Sequence, residues 1–196
     1  MRKFKTERRL QRLTEAAESR QATLRLILEN IHDPHNVSAI YRTCDATGVQ
    51  NVGLVYTNEE FPKISRVTSS SANKWIDTQR YKSVEECCDE LHKQGFKVYA
   101  STLEDNAVDF YQLDLTEPVA LVVGNEHRGI SDELKNLADK TFFIPMRGMV
   151  QSLNVSVASA VILYEAQRQR SLKGMYSLPS LPQKELDNLI DKWCDK

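Results

Sequence analysis

The chain has 196 residues, a formal net charge of −1, 41% apolar and 27% charged residues. That composition supplies one core and excludes a disordered chain. No apolar run nears the roughly 18 residues of a membrane span, and the charged opening from Met1 to Lys5 lacks the apolar centre of an export signal.

In chain order, residues 6–20 predict a charged helix with Leu10, Leu13 and Ala17 on one face. Positions 1–25 hold eight basic residues (Arg2, Lys3, Lys5, Arg8, Arg9, Arg12, Arg20, Arg25) and three acidic ones, while positions 26–196 carry 18 basic and 24 acidic, a net −6. A basic arm on an acidic body is either a phosphate-binding footprint or a solvated helix. Residues 23–28 predict a strand, and 37–47 a helix with Asn36 as N-cap and Gly48 as C-cap. A strand at 51–56 precedes a loop and helix region rich in serine (Ser69, Ser70, Ser71). The helix 83–93 has Ser83 and Glu86 at capping-box spacing and ends at Gly95. Strands follow at 96–100 and, apolar throughout, at 119–123. Ser131 caps a short helix reaching 138, and 141–144 is the last strand. A helix of small and apolar residues spans 155–164. Beyond position 171 come three turn signals (Gly174, Pro179, Pro182) and a weak terminal helix. Strands alternating with helices predict an α/β fold with a largely parallel sheet and no second domain.

Such a sheet binds its ligand at the carboxyl ends of its strands. The polar clusters 29–36, 101–105, 124–131 and 145–154 each follow a strand, which converges on one site. Residues 124–131 have Gly-x-x-x-x-Gly spacing, but Ile130 stands where a phosphate loop needs lysine, and no Gly-x-Gly-x-x-Gly run exists. Both common nucleotide loops are thereby excluded, and a turn alone leaves the carboxylate of Glu126 unexplained. Arg42 either pairs with Asp45 or Glu126, or binds a phosphate, which its planar guanidinium suits. Trp75, Trp193 and Tyr41 either stack on bases or belong to the core. The histidines form no triad or metal spacing, and Cys44, Cys87, Cys88 and Cys194 show no Cys-x-x-Cys pattern. No metal is expected, and the thiols are expected to be reduced, as in the cytoplasm.

Three motifs stand in order: Asn36-x-x-Ala-Ile-x-Arg42-Thr, then Val-Val-Gly124-Asn-Glu126-x-x-Gly-Ile-Ser, then Ile144-Pro-Met146-x-Gly-Met149-Val-Gln-Ser152-Leu153-Asn154-Val-Ser-Val-Ala. Together they resemble the 2′-O-ribose methyltransferase branch of the SPOUT superfamily of RNA methyltransferases, over roughly residues 5–175. The run Ala-Gln-Arg168-Gln-Arg170 resembles its tRNA-modifying subgroup. The resemblance implies a parallel-sheet SPOUT fold with a C-terminal deep trefoil knot and short helical segments at each end. It divides the chain into a basic helical arm (1–22), a methyltransferase domain (23–170) and a short tail (171–196). It implies a cytoplasmic homodimer that uses S-adenosylmethionine to methylate a ribose 2′-hydroxyl of tRNA, that of the D-loop guanosine. A related ribosomal-RNA methyltransferase, or a non-catalytic RNA-binding dimer, is the alternative. By the same likeness Asn36, Arg42, Glu126, Ser152 and Asn154 match active-site positions. Ser101, Gly124, Ile144, Met146, Met149 and Leu153 match the cofactor pocket. Arg8, Arg9, Arg12, Arg168 and Arg170 lie in segments resembling tRNA-binding termini. The further expectation is that Asn36 orients Arg42, which grips substrate phosphate and 2′-oxygen together.

Overall fold

The computed structural model describes residues 2–62, 72–104 and 106–196. Seven strands form one sheet: β1 (Gln21–Glu29), β2 (Val49–Val55), β3 (Asp77–Tyr81), β4 (Lys97–Ser101), β5 (Val108–Asp109), β6 (Val119–Val123) and β7 (Lys140–Phe143). Their order is β3-β2-β1-β6-β4-β7-β5, and every pairing is parallel. The buried centre of the sheet explains why β6 is apolar throughout, with all five residues inside. From β1 the chain winds outward to β2 and β3, then returns to place β6 on the other side of β1. A crevice opens at such a reversal, beyond the carboxyl ends of the strands.

Helices cover both faces. α2 (Pro34–Thr47) and α5 (Val155–Leu172) close one core, built on Leu24, Leu26, Leu28, Val52, Leu121 and Phe142. α3 (Val84–Lys93) and α4 (Asp132–Leu137) close the other over Ile27, Val55, Val98 and Val122. The alternation of Leu26 and Leu28 with Ile27 along β1 is the two-residue strand period feeding both layers. A third cluster joins α1 (Glu7–Glu18) to α6 (Gln183–Cys194): Leu13 and Ala17 meet Leu186, Leu189, Ile190 and Trp193. The N-terminal helix and the C-terminal tail are thus one packed pair, which no local pattern in either segment could show.

Several boundaries move. α2 begins at Pro34, not at 37: Asp33 is the N-cap, its side chain accepting from the His35 amide at 2.8 Å, and Pro34 takes the first turn. Proline at that position loses no helical hydrogen bond, which frees Asn36 to point elsewhere. Gly48 ends the helix with φ of 80°, and a Cβ there would meet the Ser19 carbonyl oxygen at 2.5 Å. Ser83 caps α3 through the Glu86 amide at 3.0 Å, but Glu86 returns the bond to the Lys82 amide at 2.6 Å, one residue early. α5 runs eight residues past the expected end, to Leu172. Strand β3 escaped the sequence reading because Asp-Thr-Gln-Arg-Tyr is polar; it is an edge strand with three exposed residues. The serine-rich stretch at 69–71 lies outside the described residues. Among the described residues, no helix is long and apolar enough to cross a membrane.

Candidate active site

Glu126 follows β6 and turns its carboxylate back toward the loop after β1. One oxygen accepts from the Asn36 side chain at 2.9 Å and the Asp33 amide at 3.2 Å; the other accepts from the His32 amide at 3.0 Å. Burial pushes the Glu126 carboxyl up, but the bonds from Asn36 and the backbone amides of His32 and Asp33 outweigh it and hold its pKa below the ordinary value. Asn36, buried on the first turn of α2, accepts in turn from the Asn154 side-chain amide at 3.1 Å. Asn154 caps α5 through the Ser156 amide at 2.9 Å and hydroxyl at 2.6 Å. A single run of hydrogen bonds, Glu126 to Asn36 to Asn154, therefore ties together the loops after β6, β1 and β7.

A cavity of about 650 Å³ opens beside this run, at the ends of β4, β6 and β7. Of the expected pocket residues, Ser101, Gly124, Ile144, Met146 and Leu153 line it, as do Glu126, Ser152 and Asn154 of the expected active site. Met149 does not: it is 100% exposed, at the tip of the loop between β7 and α5. Gly124 has a steric reason, since a Cβ there would lie 2.3 Å from the Gly129 backbone, where the loop doubles back. That doubling is closed by paired backbone bonds between Asn125 and Gly129, at 3.0 and 2.8 Å.

Arg42 stands on the exposed face of α2. Neither proposed carboxylate takes it: Asp45 pairs with Arg20, and Glu126 is held by Asn36 and two backbone amides. Asn36 makes no direct bond to Arg42 either: its amide is engaged by Glu126 and Asn154. Arg8, Arg9 and Arg12 lie exposed along α1, with Arg9 over the Trp75 ring at 5.4 Å. Arg168 is exposed and paired with Glu165 at 2.7 Å. Arg170 is the clear correction. It is fully buried, donating to the carbonyls of Leu115, Glu117 and Thr23 and to the side chains of Thr23 and Gln21. A guanidinium so enclosed offers nothing to a phosphate; burial lowers its pKa to about 10, which leaves it charged at neutral pH. Trp193 is likewise core, edge-on to Trp75 at 5.6 Å.

Sequence reasoning missed the braces around the site. Asn125 donates to the Asn30 carbonyl at 2.7 Å and accepts from the His127 and Arg128 amides, an Asx turn that its place after the strand and glycine could have signalled. Glu59 gathers His32, Arg128 and Asn125 from across the mouth. Glu104 and Lys135, paired at 2.8 Å, also line the cavity. No local signal marks either group, because their partners lie 27 or more positions away.

An all-parallel sheet with a cavity at its strand ends, three loops bound by one carboxylate and two asparagines, and an arginine outside them with no partner among the described residues define a ligand-binding α/β enzyme. Residues 23–164 match the SpoU rRNA Methylase family, and the chain belongs to it. It is 44% identical to the tRNA (guanosine(18)-2′-O)-methyltransferase of Thermus thermophilus over 98% of each chain. The crystal structure of the Aquifex aeolicus TrmH/SpoU tRNA modifying enzyme superposes with a TM-score of 0.91 at 43% identity, over 96% of both chains. The SpoU methyltransferase AviRb of Streptomyces viridochromogenes, in complex with the cofactor AdoMet, superposes with a TM-score of 0.65 at 28% identity, over 75% of this chain and 57% of that one.

Proposed function

We propose that the protein transfers a methyl group from S-adenosylmethionine to the 2′-hydroxyl of guanosine 18 in the D-loop of tRNA. The observation that carries the reading is the run from Glu126 through Asn36 to Asn154, whose two ends line the cavity, with Arg42 exposed on the same helix as Asn36. The choice of tRNA rests on the likeness to the guanosine-18 enzymes along nearly the whole chain.

The cavity fits the cofactor. Its volume lies within the usual range for small-molecule sites, and it sets the apolar Ile130, Phe142, Ile144 and Leu153 beside polar strand ends, as an adenosine needs. S-adenosylmethionine supplies an electrophilic methyl group there. Ser101, Gly124, Ile144, Met146 and Leu153 would hold it, with Met149 on the loop above. Arg42 grips the substrate phosphate and the 2′-oxygen with its planar fork and stabilises the negative charge that develops on that oxygen. The phosphate held in the same grip helps accept the 2′-proton, since a guanidinium stays protonated. Glu126 and Asn36 are positioning residues: they fix the loop that begins α2 and, through it, the helix that carries Arg42. Ser152 and Asn154 shape the loop between cofactor and ribose.

The finer features of the family belong to the same proposal. The segment from β7 into α5 threads a trefoil knot; support comes from Gln169 and Arg170, which tie the end of α5 to residues 113–117 ahead of β6. The enzyme is a cytoplasmic homodimer, with the exposed Val157 and Tyr164 of α5 and nearby Val150 as the contact face. Residues 23–170 form the methyltransferase domain, between a basic arm at 1–22 and a short tail at 171–196, and RNA is bound through Arg8, Arg9 and Arg12 of the arm and Arg168 of α5.

The test is methyl transfer from labelled S-adenosylmethionine to unmodified tRNA and, in parallel, ribosomal RNA, with the modified nucleotide mapped. Label on the 2′-oxygen of D-loop guanosine 18 supports the reading; label confined to ribosomal RNA overturns its substrate, and none in either overturns the reaction.

A further inference from the structure

Beyond the cavity, a cation is held ready at the outer edge of the sheet. Arg80 lies on β3, and among the described residues its side chain makes no hydrogen bond or ion pair. Its guanidinium carbon sits 4.8 Å from the centroid of the Phe61 ring. Phe61 is itself fixed, edge-on to Tyr56 at 5.2 Å and 83°. Tyr56 in turn donates to the carbonyl of Ile31 at 3.0 Å, and Ile31 adjoins His32, whose amide holds Glu126. The arginine is therefore preorganised by a short chain of contacts that ends at the active-site loop.

Its side of the sheet matters as much. Arg80 pairs in register with Leu54, a residue of the core beneath α2, and Thr78, two positions earlier, bonds the Tyr41 hydroxyl at 3.0 Å. Residues two apart on a strand share a face. Arg80 thus stands on the α2 side, near the carboxyl ends of the strands. Tyr41, which links α2 to this edge, directly precedes Arg42. Held over the Phe61 ring and exposed, the guanidinium keeps N–H groups for bidentate contact with a phosphate.

We propose that Arg80, held over the Phe61 ring, is a phosphate contact for RNA that extends the substrate track from Arg42 to the outer edge of the sheet. This rests on the reading of the protein as a tRNA methyltransferase and adds a contact that the basic helix α1 does not supply. Neutralising one phosphate releases about one counterion, so each such contact adds about 0.9 to the slope of log affinity against log salt.

The experiment measures tRNA binding by wild type, R80A, R80K and F61L from low to moderate salt, with S-adenosylmethionine affinity and turnover at saturating tRNA alongside. For R80A the expected result is a three- to tenfold weaker Kd and a salt slope shallower by about one, with cofactor affinity and saturated turnover unchanged. R80K keeps the slope, because the charge remains, and F61L weakens binding with the slope kept. R80A binding as wild type does, with the same slope, overturns the proposal alone. Loss of cofactor affinity in R80A also overturns it, since the effect would then be on the fold. A wild type that binds tRNA but does not methylate it overturns the reaction and leaves the slope readable. A wild type that does not bind tRNA overturns both.

Discussion

At the scale of single residues, Arg42 and Glu126 divide the work that a sequence reading could have assigned to either. Arg42 is exposed on α2, and the two acidic residues the sequence offered it, Asp45 and Glu126, already have partners. R42K, which keeps the charge and loses the fork, is expected to lower turnover about a hundredfold with S-adenosylmethionine affinity unchanged; turnover near wild type would remove Arg42 from its role. Glu126 has a folded pKa below its ordinary 4.5, so its tie contributes fully above that value and is lost as pH falls through the lower, folded pKa. E126Q replaces an acceptor by a donor that faces the His32 or Asp33 amide. The stability difference between wild type and E126Q should be constant above about pH 4.5 and narrow below it, as read from denaturant midpoints at each pH. The identities of these residues were readable from motif spacing. Their partners were not: Asn36 looked like a helix cap, and only the placement of Pro34 and Asp33 ahead of it shows why its amide is free to bridge Glu126 and Asn154.

At the scale of elements, α5 carries the sharpest lesson. Its charged run near the end reads as an RNA-facing surface, yet the 3.6-residue period turns Arg168 outward and Arg170 inward. R170M should cost about 3 kcal/mol or more, since it leaves buried carbonyls at Leu115, Glu117 and Thr23 without donors. R168A should stay within about 0.5 kcal/mol of wild type and weaken tRNA binding instead; thermal unfolding with RNA titration separates the two. The pairing of α1 with α6 is the second case. Each helix has an apolar stripe legible at helical spacing, but nothing local says that the stripes meet. W193A, which empties the centre of that cluster, should destabilise the protein by about 3–5 kcal/mol and speed amide exchange in α1 as well as α6.

At the scale of the whole molecule, Val157 and Tyr164 are exposed apolar residues two turns apart on α5, and a second copy is the occupant proposed for them. Y164D placed on that face should convert a dimer to a monomer in sedimentation while leaving the isolated fold intact; a wild type that sediments as a monomer with RNA absent and present would end that part of the proposal. Of the eight basic residues near the N-terminus, Arg20 is buried against Asp45 and Trp193, and Arg2 is paired with Asp187 and Asp191, whereas Arg8, Arg9 and Arg12 are exposed and are the ones proposed to meet RNA.

By itself the sequence determined the alternating α/β class, the apolar central strand, the caps at Gly48, Ser83 and Ser131, and the three motifs that carry the family resemblance. These are local matters, set by side-chain period, backbone freedom and residue type within a few positions. The tertiary structure alone decided that a polar segment such as 77–81 is a strand, that Arg170 is a buried clasp, that Asn36 bridges three loops, and that the two ends of the chain pack as one. Each of those depends on which partner, tens of positions away, supplies the missing hydrogen bond or the facing apolar surface, and that is settled only when the sheet order is set.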